Sequence, residues 1–132
     1  MVLRGGDRRE ASLILLDLHV VGAWIAIVAN ALAGLWALAA HWRPRLRTRS
    51  LWWFTVAAEV AIFAQVGLGV AMVAGEDRQA EQFHMFYGFV ALASVGILYS
   101  YRQQLERWRY LLYGFGGLFL MGLGLRAIAV RA

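Results

Sequence analysis

Four long apolar stretches, separated by three short polar connections, account for nearly the whole chain. They occupy 12–41, 51–74, 82–101 and 110–130. A helix needs roughly 20 predominantly apolar residues to cross a bilayer, and each stretch reaches that length. The pattern therefore predicts a single integral membrane domain over 1–132. Because the connections are short, we expect consecutive helices to run antiparallel, as an all-α, up-down-up-down four-helix transmembrane bundle.

The composition supports a membrane protein and narrows the classes of partner. Hydrophobic residues make up 61% of the chain and charged residues 16%, whereas soluble domains carry about 25% charged residues. The net charge is +5 and every basic residue is Arg. These arginines cluster beside the apolar stretches, so we interpret them as topology signals and contacts to the lipid bilayer, not as a nucleic-acid site. The absence of Cys excludes disulfides, thiolate metal sites and cysteine nucleophiles.

The distribution of arginine predicts the orientation of the domain. The connections 42–50 and 102–109 carry seven Arg, whereas 75–81 carries one. By the positive-inside rule, 42–50 and 102–109 face the cytoplasm and both termini lie outside a cell (plasma) membrane. The arginines of the N-terminal tail oppose this assignment. Ser12, at the start of the first apolar stretch, is a plausible N-cap for the first helix.

Two histidines are the leading candidates for function. His19 lies near the start of the first apolar stretch and His84 opens the third. An even number of crossings separates them, so both are expected on the same side of the membrane. Gly22 and Gly88 each follow a histidine by one turn and would leave room for a flat macrocycle. Two imidazoles from different helices of a bundle are suited to ligate haem iron, so we predict His19 and His84 as metal ligands.

Charged residues near the same membrane face admit several interpretations. Arg126 and Arg78 could neutralise carboxylate groups of a ligand at the outer rim. Asp17 could form an ion pair with Arg126 or orient His19, as carboxylates do for ligating imidazoles. In the alternative interpretation, His84 lies at the headgroup level and His19 bonds Asp17 or a backbone carbonyl. His19 also lies several residues into its helix while His84 is in the first turn, which predicts different depths.

Three short motifs carry a resemblance to a known family. They are Leu-Asp-Leu-His at 16–19, Gln-Val-Gly-Leu-Gly at 65–69 and Phe-His at 83–84, with the two histidines 65 residues apart. In these features the chain resembles one four-helix half of the haem A synthase family, and small b-type membrane cytochromes more broadly. The resemblance implies that His19 and His84 ligate haem b.

A carboxylate inside the second stretch is a separate candidate. Ionisable residues within a membrane helix are costly and need a partner or a function. Glu59 could therefore handle protons, or it could form a structural bond to Asn30 or Gln65.

Three functions remain open on the sequence alone, and no catalytic residue is predicted. The first is a small b-type haem-binding unit for electron transfer or haem handling. The second is a cofactor-free accessory or assembly subunit of a larger membrane complex or homo-oligomer. Its docking faces would be the glycine-rich stretch 110–130 and a stripe of small residues in 12–41. The third is a small proton-linked carrier that uses Glu59.

Overall fold

The protein is an all-α bundle of four membrane helices. A computed structural model describes residues 5–76 and 82–131, and no strand occurs in that part of the chain. The helices are α1 (Gly5–Trp42), α2 (Arg49–Glu76), α3 (Gln82–Tyr101) and α4 (Arg109–Arg131). Short 3-10 turns at Pro44–Leu46 and Glu106–Trp108 lead into α2 and α4. All four helices are long and apolar enough to cross a bilayer, so the predicted fold class is confirmed.

The first helix is longer than the apolar pattern predicted. It begins at Gly5, so the prediction of Ser12 as its N-cap is wrong. Residues 5–11 are exposed and include four charged side chains at 7–10, which a helix outside the hydrocarbon tolerates. At about 1.5 Å per residue, the 38 residues of α1 span about 57 Å, well beyond the roughly 30 Å of the bilayer core. The apolar stretch therefore marks the membrane crossing, whereas the helix itself extends further.

Helix α1 packs most extensively against α4 and α2, and α3 packs mainly against α4. The order around the bundle is therefore α2, α1, α4, α3, and the seam between α2 and α3 is the least tightly packed. At the α1–α4 crossing, a Cβ on Gly117 would lie 2.8 Å from the backbone oxygen of Asn30 and from the Cα of Gly34. The two backbones thus approach so closely that only glycine fits at this position. Close approach of this kind gives helices their packing energy in lipid.

Most glycines of α4 are used inside the bundle. Their missing side chains make room for neighbouring helices: Gly114 for Leu38, Gly116 for Leu98 and Gly124 for Ile27. Only Gly122, of the α4 glycines, faces open space. In the stripe of small residues on α1, Gly34 likewise packs against α4. These positions do not form the outward docking faces expected from the sequence, because internal helix contacts already occupy them.

Arg47 connects helices at the end of the bundle where α1 ends and α2 begins. Arg47 donates from Nε to the carbonyl oxygen of Ala40 and from Nη2 to that of His41, both at 2.8 Å. These bonds satisfy carbonyls in the last turn of α1, which lack partners within the helix. The same guanidinium lies 4.8 Å from the ring centroid of Tyr110 on α4. The basic connection after α1 is therefore fastened to two helices.

Candidate ligand site between two histidines

The structure brings the two histidines together. The rings of His19 on α1 and His84 on α3 have centroids 5.9 Å apart, with planes at 77°. Both side chains are partly buried, and both line one cavity. The predicted difference in depth is therefore wrong, because α1 begins at Gly5, before the apolar stretch, and the number of residues from its start does not measure depth.

The cavity lies in the half of the bundle that holds the helix ends Gly5, Glu76, Gln82 and Arg131. Its volume is about 350 Å³ and all four helices contribute to its wall. Ligand sites usually measure roughly 300–1,000 Å³ and are mostly apolar with a few convergent polar groups. Among the described residues, the polar groups on this wall are the two histidines, Asn30, Gln65 and Tyr87.

One ring nitrogen of His84 has a defined role. Its Nδ1 lies 2.9 Å from the carbonyl oxygen of Ala127 on α4. A carbonyl only accepts, so Nδ1 carries the proton and Nε2 is the acceptor nitrogen of the neutral ring. Metal-ligating histidines commonly donate their second N–H to a backbone carbonyl in this way. The contact also ties the start of α3 to the end of α4.

The spacing of the two rings suits a shared ligand. Metal–imidazole bonds of about 2.0–2.1 Å, the zinc value, place two opposed nitrogens about 4 Å apart and the ring centroids about 6 Å apart. The observed centroid distance of 5.9 Å, with the planes at 77°, is close to that spacing and is equally typical of a direct edge-to-face contact between two rings. Within residues 5–76 and 82–131, no group of three or more His, Cys, Asp or Glu side chains is arranged to hold a metal ion.

Helix α2 supports His19 at two points. Gln65 donates from Nε2 to the carbonyl oxygen of His19 at 2.6 Å. One turn further along α2, a Cβ on Gly69 would lie 3.5 Å from Cε1 of the His19 ring. An alanine methyl at position 69 would therefore make an ordinary van der Waals contact with the imidazole.

The two glycines predicted to make room for a ligand differ in their surroundings. Gly88 lines the cavity, and a Cβ there would meet only Val66, at 3.8 Å. Gly22 does not line it, because the side-chain amide of Gln65 fills the space over Gly22. The expectation that Gly22 leaves room for a macrocycle is thus corrected: its room is used by a side chain of α2.

The charged candidates lie at the rim or away from the site. Arg126 is exposed and donates from Nε to the hydroxyl of Tyr87 at 3.3 Å, and Tyr87 lines the cavity. Asp17 is exposed and, within the described residues, forms no ion pair with Arg126. That predicted pair is wrong, because Arg126 is directed toward α3 instead. Arg78 lies outside the described residues.

Glu59 is not part of this site. It is partly buried on α2 but does not line the cavity. The predicted bonds from Glu59 to Asn30 or Gln65 are not formed. Asn30 donates to the carbonyl oxygens of Ala26 and Ala58, at 2.8 and 3.1 Å, and Gln65 donates to His19.

The fold and the cavity define a class: a small integral membrane protein with a ligand-sized apolar cavity and two facing imidazoles. No family model, no curated protein and no solved structure matches this chain. A functional assignment therefore depends on the chemistry of the residues themselves.

Proposed function

We propose that this protein binds a b-type haem between His19 and His84 and acts in electron transfer or haem handling. The observation that carries the proposal is the pair of imidazole rings, 5.9 Å apart on two different helices, on the wall of one apolar cavity. Paired axial histidines inside a helical bundle are an established way to hold haem.

The described residues fit such a group. His19 and His84 would be the axial ligands, and the bond from His84 Nδ1 to Ala127 would orient its ring and raise its basicity. The loosely packed α2–α3 seam and the cavity that Gly88 lines offer room for a flat macrocycle. Arg126, at the rim beside Tyr87, would pair with carboxylate groups of the ligand.

This arrangement indicates what the haem and the protein would each contribute. Bound haem supplies one-electron redox chemistry, whereas the protein supplies position, low polarity and exclusion of water. The apolar wall lowers the local dielectric, so the polarity of the site is set by the two imidazoles and the rim arginine. If 42–50 and 102–109 are cytoplasmic in a plasma membrane, the site lies in the outward half, and electrons or haem would be exchanged there.

A difference spectrum tests the proposal. The protein is purified from haem-replete cells and its reduced-minus-oxidised absorbance is recorded. We expect a sharp band pair in the wild type that is lost in both His19→Ala and His84→Ala. His41→Ala is the matched control, because His41 lies beside Trp42 and Trp108 at the opposite end of the bundle.

The variants also define the result that would overturn the proposal. A folded but colourless wild type that takes up no added hemin would exclude haem and favour a cofactor-free accessory subunit. Equal loss of bands in His41→Ala and His84→Ala would show that the bands do not report on this cavity.

A further inference from the structure

Gln65 is a polar residue of the cavity wall whose role the proposed ligand set leaves unassigned. It lies inside the membrane-spanning part of α2, where an amide side chain is unfavourable without bonding partners. Its Nε2 reaches across to α1 and donates to the carbonyl oxygen of His19, at 2.6 Å. The residue contacted is thus the candidate ligand itself, through its backbone.

The space for this amide is provided by the absence of a side chain on α1. A Cβ on Gly22 would lie 2.8 Å from Oε1, 3.1 Å from Cδ and 3.3 Å from Nε2 of Gln65. All three atoms of the amide group therefore lie against the bare backbone at Gly22. Any larger residue at position 22 would force the amide of Gln65 to shift and so disturb its bond to His19.

The amide of Gln65 stabilises the fold less than an apolar side chain of the same shape would. Its Oε1 is buried and accepts no hydrogen bond within the described residues. A buried acceptor without a donor leaves its desolvation cost uncompensated, whereas an apolar side chain of the same shape would carry no such cost. This suggests that the amide is used for its directed bond to α1.

Gln65 and Gly69 lie one turn apart on the same face of α2. Gln65 donates to the backbone of His19, and Gly69 lies beside the His19 ring. A bond to the backbone fixes the rotation and height of α1 relative to α2 at the ligand position. Direct contact at the ring would instead restrict the imidazole without fixing the position of α1 relative to α2.

We propose that Gln65, packed against Gly22, is a positioning residue that sets the register of His19 in the cavity. The inference deepens the proposed function, because a register at His19 matters most if its ring must meet a ligand shared with His84. In the ligand-free protein, too, the environment of the His19 ring depends on Gln65.

Two variants remove the contact in different ways. Gln65→Met keeps the length of the side chain but cannot donate, and Gly22→Ala forces the amide away. Since loss of a group that orients a ligating residue typically weakens metal binding about 10–100-fold, we expect haem dissociation to accelerate within that range. The midpoint potential should shift in both variants, while the reduced band pair remains.

The controls separate positioning from general destabilisation. Gly67→Ala is the matched control, because a Cβ on Gly67 would have nothing within 4 Å; we expect wild-type haem retention. The double variant Gly22→Ala/Gln65→Ala relieves the clash, so its thermal stability should recover relative to Gly22→Ala. Its haem retention should stay low, since the bond to His19 is still missing.

A measurement without haem makes the inference independent of the proposed function. In protein labelled with ¹⁵N-histidine and reconstituted in nanodiscs, Gln65→Met should shift or broaden the ring signals of His19. The signals of His41 should be unchanged. Indifference of the His19 signals to Gln65→Met would overturn the positioning role, whether or not haem is bound. A colourless wild type whose His19 signals respond to Gln65→Met would overturn haem binding and retain the positioning role.

Discussion

At the residue scale, three polar side chains of the cavity wall, Asn30, Gln65 and His84, contact backbone carbonyls of neighbouring helices. Asn30, 3% exposed, donates to Ala58 on α2, and His84 contacts Ala127 on α4. A helical carbonyl has two lone pairs, so it can accept such a bond in addition to its bond within the helix. Each contact therefore links two helices while no carbonyl depends on it alone.

This arrangement predicts a modest cost for removing the amide of Asn30. Asn30→Leu keeps the branched shape of the side chain, removes its donor, and leaves the carbonyls of Ala26 and Ala58 in their helical bonds. Interhelical polar contacts in membranes average about 0.6 kcal/mol and reach about 1.7 kcal/mol, so we expect a loss of that size in unfolding free energy, measured by steric trapping in bicelles. Ser100→Ala is the control, because Ser100 is exposed and bonds only Gly96 of its own helix. A loss above about 3 kcal/mol, outside that range, would contradict this account.

At the element scale, the bundle depends on the close approach of α1 and α4. Gly117 lies against Asn30 and Gly34 with no space for a methyl group, whereas Gly122 on the same helix faces open space. In lipid, helices associate through such packing because the surrounding acyl chains remove the hydrophobic drive. The α1–α4 contact is therefore the main structural support for the cavity beside it.

A pair of glycine substitutions on α4 tests this support. Gly117→Ala must push α1 and α4 apart, and overpacking of this kind typically costs about 1–3 kcal/mol. Gly122→Ala meets no neighbour and should be neutral or stabilising, since alanine favours a helix by up to about 1 kcal/mol over glycine. Thermal unfolding in the same detergent measures both. Equal effects of the two substitutions would show that the crossing does not limit stability.

The same scale shows what the sequence could and could not predict. The apolar stretches located all four helices, and the predicted bounds 82–101 coincide with α3, because short polar connections interrupt an otherwise continuous pattern. The start of α1 was missed, since helical hydrogen bonding continues where hydrophobicity stops. The even number of membrane crossings between His19 and His84 predicted that they share a side of the membrane. Their ring contact depends on how the helices pack, which the apolar pattern does not specify.

The role of Gln65 was also beyond the sequence. The resemblance motif contained Gln65, and its position within an apolar helix marked it as unusual. Its partner, however, is the backbone carbonyl of His19. Every residue has such a carbonyl, so the sequence does not indicate which one accepts the bond. The same holds for Gly22, whose neighbour proved to be a side chain of α2.

At the scale of the whole molecule, the two ends of the bundle differ in chemistry. One end holds the arginines of 42–50 and 102–109, with Arg47 fastened to α1 and Tyr110. The other half holds the cavity and both histidines. Orientation in the membrane therefore determines which compartment the candidate site faces, and the positive-inside rule predicts the outside.

The chain has no cysteine, so single cysteines can report this orientation directly. Asp7 in α1 and Thr48 after α1 are exposed and lie at opposite ends of the bundle. In intact cells, an impermeant maleimide should label Asp7→Cys and leave Thr48→Cys unlabelled until the membrane is permeabilised, because the positive-inside rule predicts that the face with seven arginines is cytoplasmic. The reverse pattern would place the histidine site toward the cytoplasm and any redox partner with it. Labelling of both variants in intact cells would indicate two orientations, with the basic residues of the N-terminal tail offsetting those of the connections.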